Sequence, residues 1–400
     1  MKKFTILLLF VTSISISCGD QGDSGYDTGL KTETLDVSSA NEIKGERLNL
    51  VADRAINKVI FMIGDGTGVA QLYSGQLNEV GPGGKLHVQR FPVTGIIKTY
   101  AANNLITDSA AGATAYSCGI KTNNGVIAQD ENGNDCVTLL EFAQQKGMGT
   151  GIISTSGITH ATPASFVSHI DSRSKYSQIA EQMVYANVDV MLGGGYEYFV
   201  PMDSTGSSRE DNVNLLPVFD EQGYSVVFTR DEMLATESDK MVGLFSDGGM
   251  PSENRTPTLS EMTSKALQML DKRENGFFLM VEGSQIDWGG HGNDTPYVLR
   301  EVKDFDDAIG AAISYAENNP GTLVIVTADH ETGGMTFNGA NSEGSIMDIA
   351  WTTSGHTGTP IPLMAYGPHA VEFSGWWDNT EIGQKVAELL GFEDFPSIKE

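Results

Sequence analysis

Basic residues, cysteines and long apolar runs are all scarce in this chain of 400 residues, and each shortage removes a class of answers. Lys and Arg number 25 against 52 acids, a net charge of -27. That excludes a nucleic-acid partner, because phosphate backbones are bound by clusters of Lys and Arg. The same balance suits an anionic small substrate only if part of the acidity holds cations. Only 3 cysteines are present: Cys18, Cys118 and Cys136. Cys118 lies in the small-residue run Ala110–Cys118, which reads as a buried helix, and Cys136 is expected to begin a different helix. A disulfide between them is open in an oxidising compartment, but two separate thiols is the preferred reading. The longest early apolar stretch, Phe4–Val11, is too short to span a bilayer, which needs roughly 20 apolar residues.

What is present at the start is Met1-Lys2-Lys3, that apolar stretch, and small residues up to Ser17-Cys18, the layout of a secretory signal peptide. Residues 1–17 are therefore expected to be absent from the mature protein, and their loss takes the net charge from -27 to -29. Cys18 follows small residues as in a bacterial lipoprotein box, with Ser15 where such boxes usually carry Leu. Both an outer-membrane lipoprotein with lipid on Cys18 and plain release into the periplasm are open. Residues 18–50 are rich in Gly, Asp, Ser and Thr without apolar periodicity, and read as a flexible tether. Residues 51–400 read as the folded domain.

Within it, short apolar runs bounded by turn residues recur: Lys58–Ile63, Gly151–Ser154, Val188–Leu192, Phe277–Val281, Leu323–Thr327 and Pro362–Tyr366. Each fits a strand buried on both faces. Between them lie segments of helical period, including Thr138–Lys146, Ser177–Ala186, Thr258–Lys272 and Tyr297–Glu317, with a capping box at Thr258 and Glu261. The alternation predicts an α/β fold, a three-layer α/β/α sandwich with a large, mainly parallel sheet. The polar stretch from Met202 to about Arg255 reads as a peripheral elaboration.

In open α/β sheets ligands collect beyond the carboxyl ends of the strands. Three strands end in Gly64-Asp65-Gly66, Glu282-Gly283-Ser284 and Asp329-His330-Glu331. Asp287 and His291, four apart on a helix or glycine turn, bring a carboxylate and an imidazole together as a zinc site requires. His356 lies in a loop of small residues. Each feature alone is ordinary surface polarity, but acids and histidines at the ends of several strands of one sheet converge by topology. Ser109 precedes a helix of small residues, whose N-terminus favours an anion. It reads as an N-cap or as a nucleophile. No Gly-x-Ser-x-Gly elbow surrounds it, so a metal is the expected activator. Arg173 is a candidate phosphate clamp or a surface charge.

The segments Met62–Gly66, Thr107–Thr114, His160–Arg173, Val281–His291, Thr327–Gly334 and Gly355–Gly358 with Ala365–Pro368 resemble, in this order, the signature blocks of the alkaline phosphatase family. The resemblance implies hydrolysis of phosphate monoesters through a phosphorylated Ser109, by two zinc ions and one magnesium. One zinc would be held by Asp287, His291 and His356. The other would be held by Asp65, Asp329 and His330 with Ser109. Asp65 would bridge to the third metal, whose other ligands would be Thr162 and Glu282. Arg173, oriented by Asp108, would bind phosphate. His160 and Trp288, which stand where some bacterial members carry Asp and Lys, would lie near the third metal or the phosphate. Only 25 residues separate His330 from His356, which implies a compact form, and the family implies a homodimer.

Two metals in one site can stabilise both the attacking and the leaving oxygen of an in-line displacement. A phosphodiesterase with the same two-metal core is the alternative, and Arg173 with the Thr162–Glu282 set favours monoesters. A sulfatase is disfavoured by the absence of its modified-residue motif around Ser109. A lipoprotein that binds phosphate or metal without turnover leaves the serine unexplained.

Overall fold

The computed structural model describes residues 30–37 and 46–399. The signal segment 1–17 and Cys18 lie outside the described residues. Among the described residues fifteen strands follow in chain order: β1 Lys31–Asp36, β2 Lys58–Gly64, β3 Val93–Lys98, β4 Gly149–Gly157, β5 Val190–Gly194, β6 Ser225–Val227, β7 Met241–Leu244, β8 Phe277–Gly283, β9 Thr322–Thr327, β10 Glu331–Thr332, β11 Met335–Ala340, β12 Ile346–Trp351, β13 His356–Thr357, β14 Ile361–Tyr366 and β15 Gly375–Asp378. Ten form the central sheet in the order β15-β3-β14-β9-β2-β8-β4-β5-β7-β6. Only β14 is antiparallel to its neighbours there, so the sheet is mainly parallel.

The apolar runs are continuous because both faces of the sheet are covered. Val59, Phe61 and Ile63 of β2 point into one core, shared with Ala113 and Tyr116 of the Ser109–Cys118 helix and Ile382 and Val386 of the Asn379–Leu390 helix. Ile60 and Met62 point into the other, shared with Met262 of the Leu259–Leu270 helix and Val302, Phe305 and Ile309 of the Thr295–Asn318 helix. This is the expected three-layer sandwich. Each such Val, Ile, Met or Phe side chain, fully buried, contributes about 1.5–3 kcal/mol of transfer free energy. The capping box at Thr258 and Glu261 is formed. Among the described residues no helix is long and apolar enough to cross a membrane.

Three expectations need correction. The tether 18–50 contains β1, which pairs antiparallel with β12 through all six residues, and Leu48 is buried with its N–H donating to the Arg90 carbonyl. Thr32 and Thr34 supply strand propensity there, and Leu35 gives the single buried anchor. The stretch 202–255 is not only peripheral, because β6 and β7 within it extend the central sheet at one edge. Cys136 does not begin a helix. It forms an isolated bridge with Ile398, and the next helix, Leu139–Gln145, is capped by Thr138. Cys118 and Cys136 are both buried free thiols.

Candidate active site

The site lies beyond the carboxyl ends of β2, β8, β9 and β4. Asp65 follows β2 and is wholly buried. The turn after it is forced by Gly66, at φ +71, where a Cβ atom would come within 2.6 Å of the Asp287 Cα. Glu282 is the penultimate residue of β8. Asp287 and His291 sit one turn apart on the helix Ile286–Gly292, with Asp287 Oδ2 3.3 Å from His291 Nε2. His356 on β13 puts its Nε2 3.4 Å from Asp287 Oδ1 and 3.2 Å from His291 Nε2. The pairing of β13 with β10, Thr332 opposite His356, carries this loop histidine into the site.

Ser109 is the first residue of its helix and Asp108 is the cap, its side chain accepting from the Ala111 N–H. Ser109 is therefore not the N-cap, and its hydroxyl is left for other work, 3.3 Å from His330 Nε2. That nitrogen is also 3.5 Å from Asp65 Oδ1 and 3.3 Å from Asp329 Oδ2. Arg173 donates from NH1 to Asp108 Oδ2 at 3.1 Å, and its NH2 is 3.2 Å from His160 Nε2. Trp288 meets His160 edge to face, with ring centroids 6.2 Å apart. Glu282 lies with Asp65 and His160, and Thr162 lies beside Glu282, so all thirteen residues anticipated from the sequence fall in one connected cluster.

The hydrogen bonding is lopsided. Asp329 Oδ1 accepts the N–H groups of Gly66 and His330, but Oδ2 has no partner. Glu282 Oε2 accepts from Ser154 Oγ at 2.7 Å, while Oε1 has none. Both oxygens of Asp65, Thr162 Oγ1 and His160 Nδ1 are likewise buried without a hydrogen-bond partner. Unpaired buried polar atoms of this kind carry a desolvation cost of about 1–3 kcal/mol each, and here they gather in one place. Two triads, Asp65–His160–Glu282 and Asp65–Asp329–His330, and a third, Asp287–His330–His356, bring donor atoms within 4.8 Å of one another. The donor set of carboxylates, imidazoles and a hydroxyl fits divalent metals.

Electrostatics agrees. Burial, with Asp329, Asp287 and Glu282 nearby, pushes Asp65 well above the usual carboxylate range. Burial raises Glu282 to about 7 and Asp329 to about 6. Asp287 is the exception: burial opposes its charge, but hydrogen bonds from His291 and His356 hold it well below the ordinary value. The same hydrogen bond raises His291 to about 9. Burial, then the Arg173 charge, lower His160 to about 3, so it is a neutral imidazole. So many carboxylates in a dry site call for bound positive charge.

The sequence reading missed Thr332, whose hydroxyl touches both Asp287 and His330, and the Ser154–Ser156–Ser284 hydroxyls around Glu282. A hydroxyl two residues after His330 was the available signal, but Thr at a strand end is too common to stand out.

Carboxylates and imidazoles at the strand ends of a mainly parallel sheet, gathered around a buried serine at a helix N-terminus, define a metal-dependent hydrolase of the α/β/α class. The family model for alkaline phosphatase matches residues 56–347. Alkaline phosphatase 3 of Bacillus subtilis is 37% identical, covering 98% of each chain. The solved structure of the alkaline phosphatase from the Antarctic bacterium TAB5 superposes with a TM-score of 0.77 at 37% identity, over 85% of this chain and 99% of that one. Two variants of the TAB5 enzyme, with a histidine replaced by glutamate or by aspartate, are described with magnesium bound in the M3 site; each is 36% identical with a TM-score of 0.77, over the same shares of the two chains. The chain belongs to the alkaline phosphatase family. It is a phosphoric monoester hydrolase that uses metal cofactors.

Proposed function

We propose that hydrolysis runs through a phosphoserine on Ser109, in a site that takes two zinc ions and one further metal. Asp287, His291 and His356 hold the first zinc, and Asp65, Asp329 and His330 the second. Asp65, Glu282 and Thr162 hold the third ion, normally magnesium. The observation that carries this reading is the gathering of buried, partnerless donor atoms on Asp65, Thr162, Glu282 and Asp329. When bound, the zinc ions supply charge that lowers the pKa of the serine hydroxyl and stabilises the attacking and leaving oxygens.

The chain's own groups do the rest. Arg173, with NH1 on Asp108 and NH2 beside His160, keeps further N–H donors for the phosphoryl oxygens. The free N–H groups at the start of the Ser109–Cys118 helix add partial positive charge where the phosphoryl group sits. Attack by Ser109 Oγ forms a bond to phosphorus as the alcohol oxygen leaves. Water then breaks the serine–phosphorus bond and releases inorganic phosphate, which binds the same groups and inhibits. Arg173 favours a monoester over a diester, since its charge and donors match a phosphoryl group with two negative charges and three free oxygens better than one with a single charge and two.

His160 places a neutral nitrogen among the third-site acids, so it reads as a potential ligand as well as a neighbour of phosphate. That the TAB5 variants carrying a carboxylate in place of a histidine hold magnesium supports a looser hold on magnesium in the third site of this chain. The same reading takes residues 1–17 as an export signal, Cys18 as a candidate lipid attachment point, residues 51–400 with β1 packed onto them as the catalytic unit and the protein as a periplasmic or membrane-tethered homodimer.

The test is phosphate release from an aryl phosphate by the purified protein, with and without chelator, beside elemental analysis. We expect about two zinc ions and one other metal per chain, and loss of activity on chelation. A metal-free protein with full activity would overturn the reading.

A further inference from the structure

The three imidazoles around the double metal site share one arrangement: Nδ1 rests on an oxygen and Nε2 faces inward. His291 Nδ1 is 2.7 Å from the Ser354 carbonyl, and His356 Nδ1 is 2.9 Å from the Thr107 carbonyl. A carbonyl only accepts, so these rings carry a proton on Nδ1, and with metal bound it is the Nε2 lone pair that they offer. His330 differs, because its Nδ1 is 3.2 Å from a hydroxyl, Thr332 Oγ1, which could donate or accept. The other neighbour of that hydroxyl decides the direction. Thr332 Oγ1 lies 2.5 Å from Asp287 Oδ1, and a carboxylate serving as a metal ligand only accepts. The single hydroxyl proton is committed to Asp287, leaving Oγ1 to accept from His330 Nδ1–H.

We propose that Thr332 is a positioning residue that fixes His330 in its Nε2-presenting tautomer and orients Asp287, so that one hydroxyl ties together the ligand sets of the two zinc sites. This rests on the two-zinc reading above. The surroundings hold the side chain in that role. Thr332 is wholly buried, and its N–H donates to the Gly66 carbonyl at 3.1 Å. A Cβ on Gly66 would come within 2.8 Å of Thr332 Oγ1, and one on Gly290 within 2.9 Å of its methyl carbon. Both glycines clear the space the threonine needs. Partners behind metal-bound histidines fix the tautomer and ring orientation, and their loss typically costs 10–100-fold in metal affinity or activity. Here the partner serves a histidine of one site and a carboxylate of the other, so its loss reaches both.

The experiment compares Thr332→Val, which keeps the shape and removes the hydroxyl, with Thr332→Ser, which keeps the hydroxyl. Release of zinc from the purified holoenzymes to a chromophoric chelator is followed in time, with thermal unfolding of the metal-free forms as control. Parent protein should release two zinc ions per chain. Thr332→Val should release both about 10–100-fold faster with unfolding of the metal-free form little changed, and Thr332→Ser should return to within a few-fold of the parent. In the metal-free parent, nitrogen-15 spectra of the histidines should show the His330 proton on Nδ1, with that preference lost in Thr332→Val. Unchanged release in Thr332→Val, faster release of one ion only, or a Ser variant as fast as the Val variant would overturn the inference. A parent that holds no zinc pair would instead overturn the two-zinc reading.

Discussion

Asp108 joins the nucleophile's helix to Arg173: its Oδ2 is 3.1 Å from Arg173 NH1, and its Oδ1 accepts the Ala111 N–H at 3.0 Å. The two jobs separate by substitution. Asn caps helices about as well as Asp but carries no charge, whereas Ala loses a cap worth about 1 kcal/mol. Asp108→Asn keeps the cap but leaves the Gly125 N–H, which Oδ2 accepts at 3.0 Å, without its acceptor, so it should weaken inhibition by inorganic phosphate with a smaller loss of Tm than Asp108→Ala. Arg173→Ala should weaken phosphate inhibition and kcat/KM together, because a bidentate guanidinium binds phosphate and transition state alike. Phosphate titrations beside thermal melts check this, and unchanged inhibition in Arg173→Ala would return the arginine to a structural ion pair.

Ser109→Ala removes only an oxygen from a buried position at the start of a helix, where Ala is well tolerated. The variant should lose orders of magnitude in kcat while keeping its fold and its metals. Rapid quenching of the parent with labelled substrate should trap phosphate on Ser109. If no label is trapped, direct attack by water is the better mechanism.

His160, neutral because burial holds its imidazole at about 3, contributes no charge to the third site. The sign follows: a histidine with a lowered folded value resists protonation, so the fold loses stability only as pH falls from 6.5 toward 3. Replacing it by Asp adds one negative charge beside Asp65 and Glu282, which should raise the content of magnesium, a hard ion. Trp288→Lys adds a cation near the phosphate. The double variant His160→Asp with Trp288→Lys should bind phosphate more tightly and turn over more slowly as product release lags. Metal analysis and the phosphate inhibition constant decide, and an unchanged or weaker affinity would remove the electrostatic account.

Gly66 tests the frame of the site. Gly66→Ala combines a φ of +71 with a clash against the Asp287 backbone, so its cost should exceed the about 1 kcal/mol of an ordinary strained residue. Reduced Tm and reduced zinc content together are the expected outcome. A variant with parent Tm and full metal would show that the turn can relax.

The strand-end ligands Asp65, Glu282 and Asp329-His330 were legible because each follows an apolar run buried on both faces, a pattern that marks both the strand and its end. The cap at Thr258 was legible because a capping box is local chemistry. β3 was not, since it alternates buried and exposed residues and lacks the continuous apolar signal. β15 and β6 are too short to show any period. β1 escaped because its order comes from pairing with β12, over 300 residues away, and only Leu35 is buried. The role of Thr332 depends on which oxygen and nitrogen meet its hydroxyl, and no spacing rule carries that.

The helix Ser109–Cys118 is wholly buried, and a Cβ on its Gly112 would stand 3.0 Å from the Asp329 carbonyl oxygen. For anyone reshaping substrate preference by combinatorial mutagenesis, that helix is a closed door: larger residues there would shift a ligand before they touched a substrate. Leu105 and Ile106, exposed on the loop leading to Asp108, offer the open one. Diversity placed at those two positions changes exposed side chains and leaves the metal ligands and the buried helix intact.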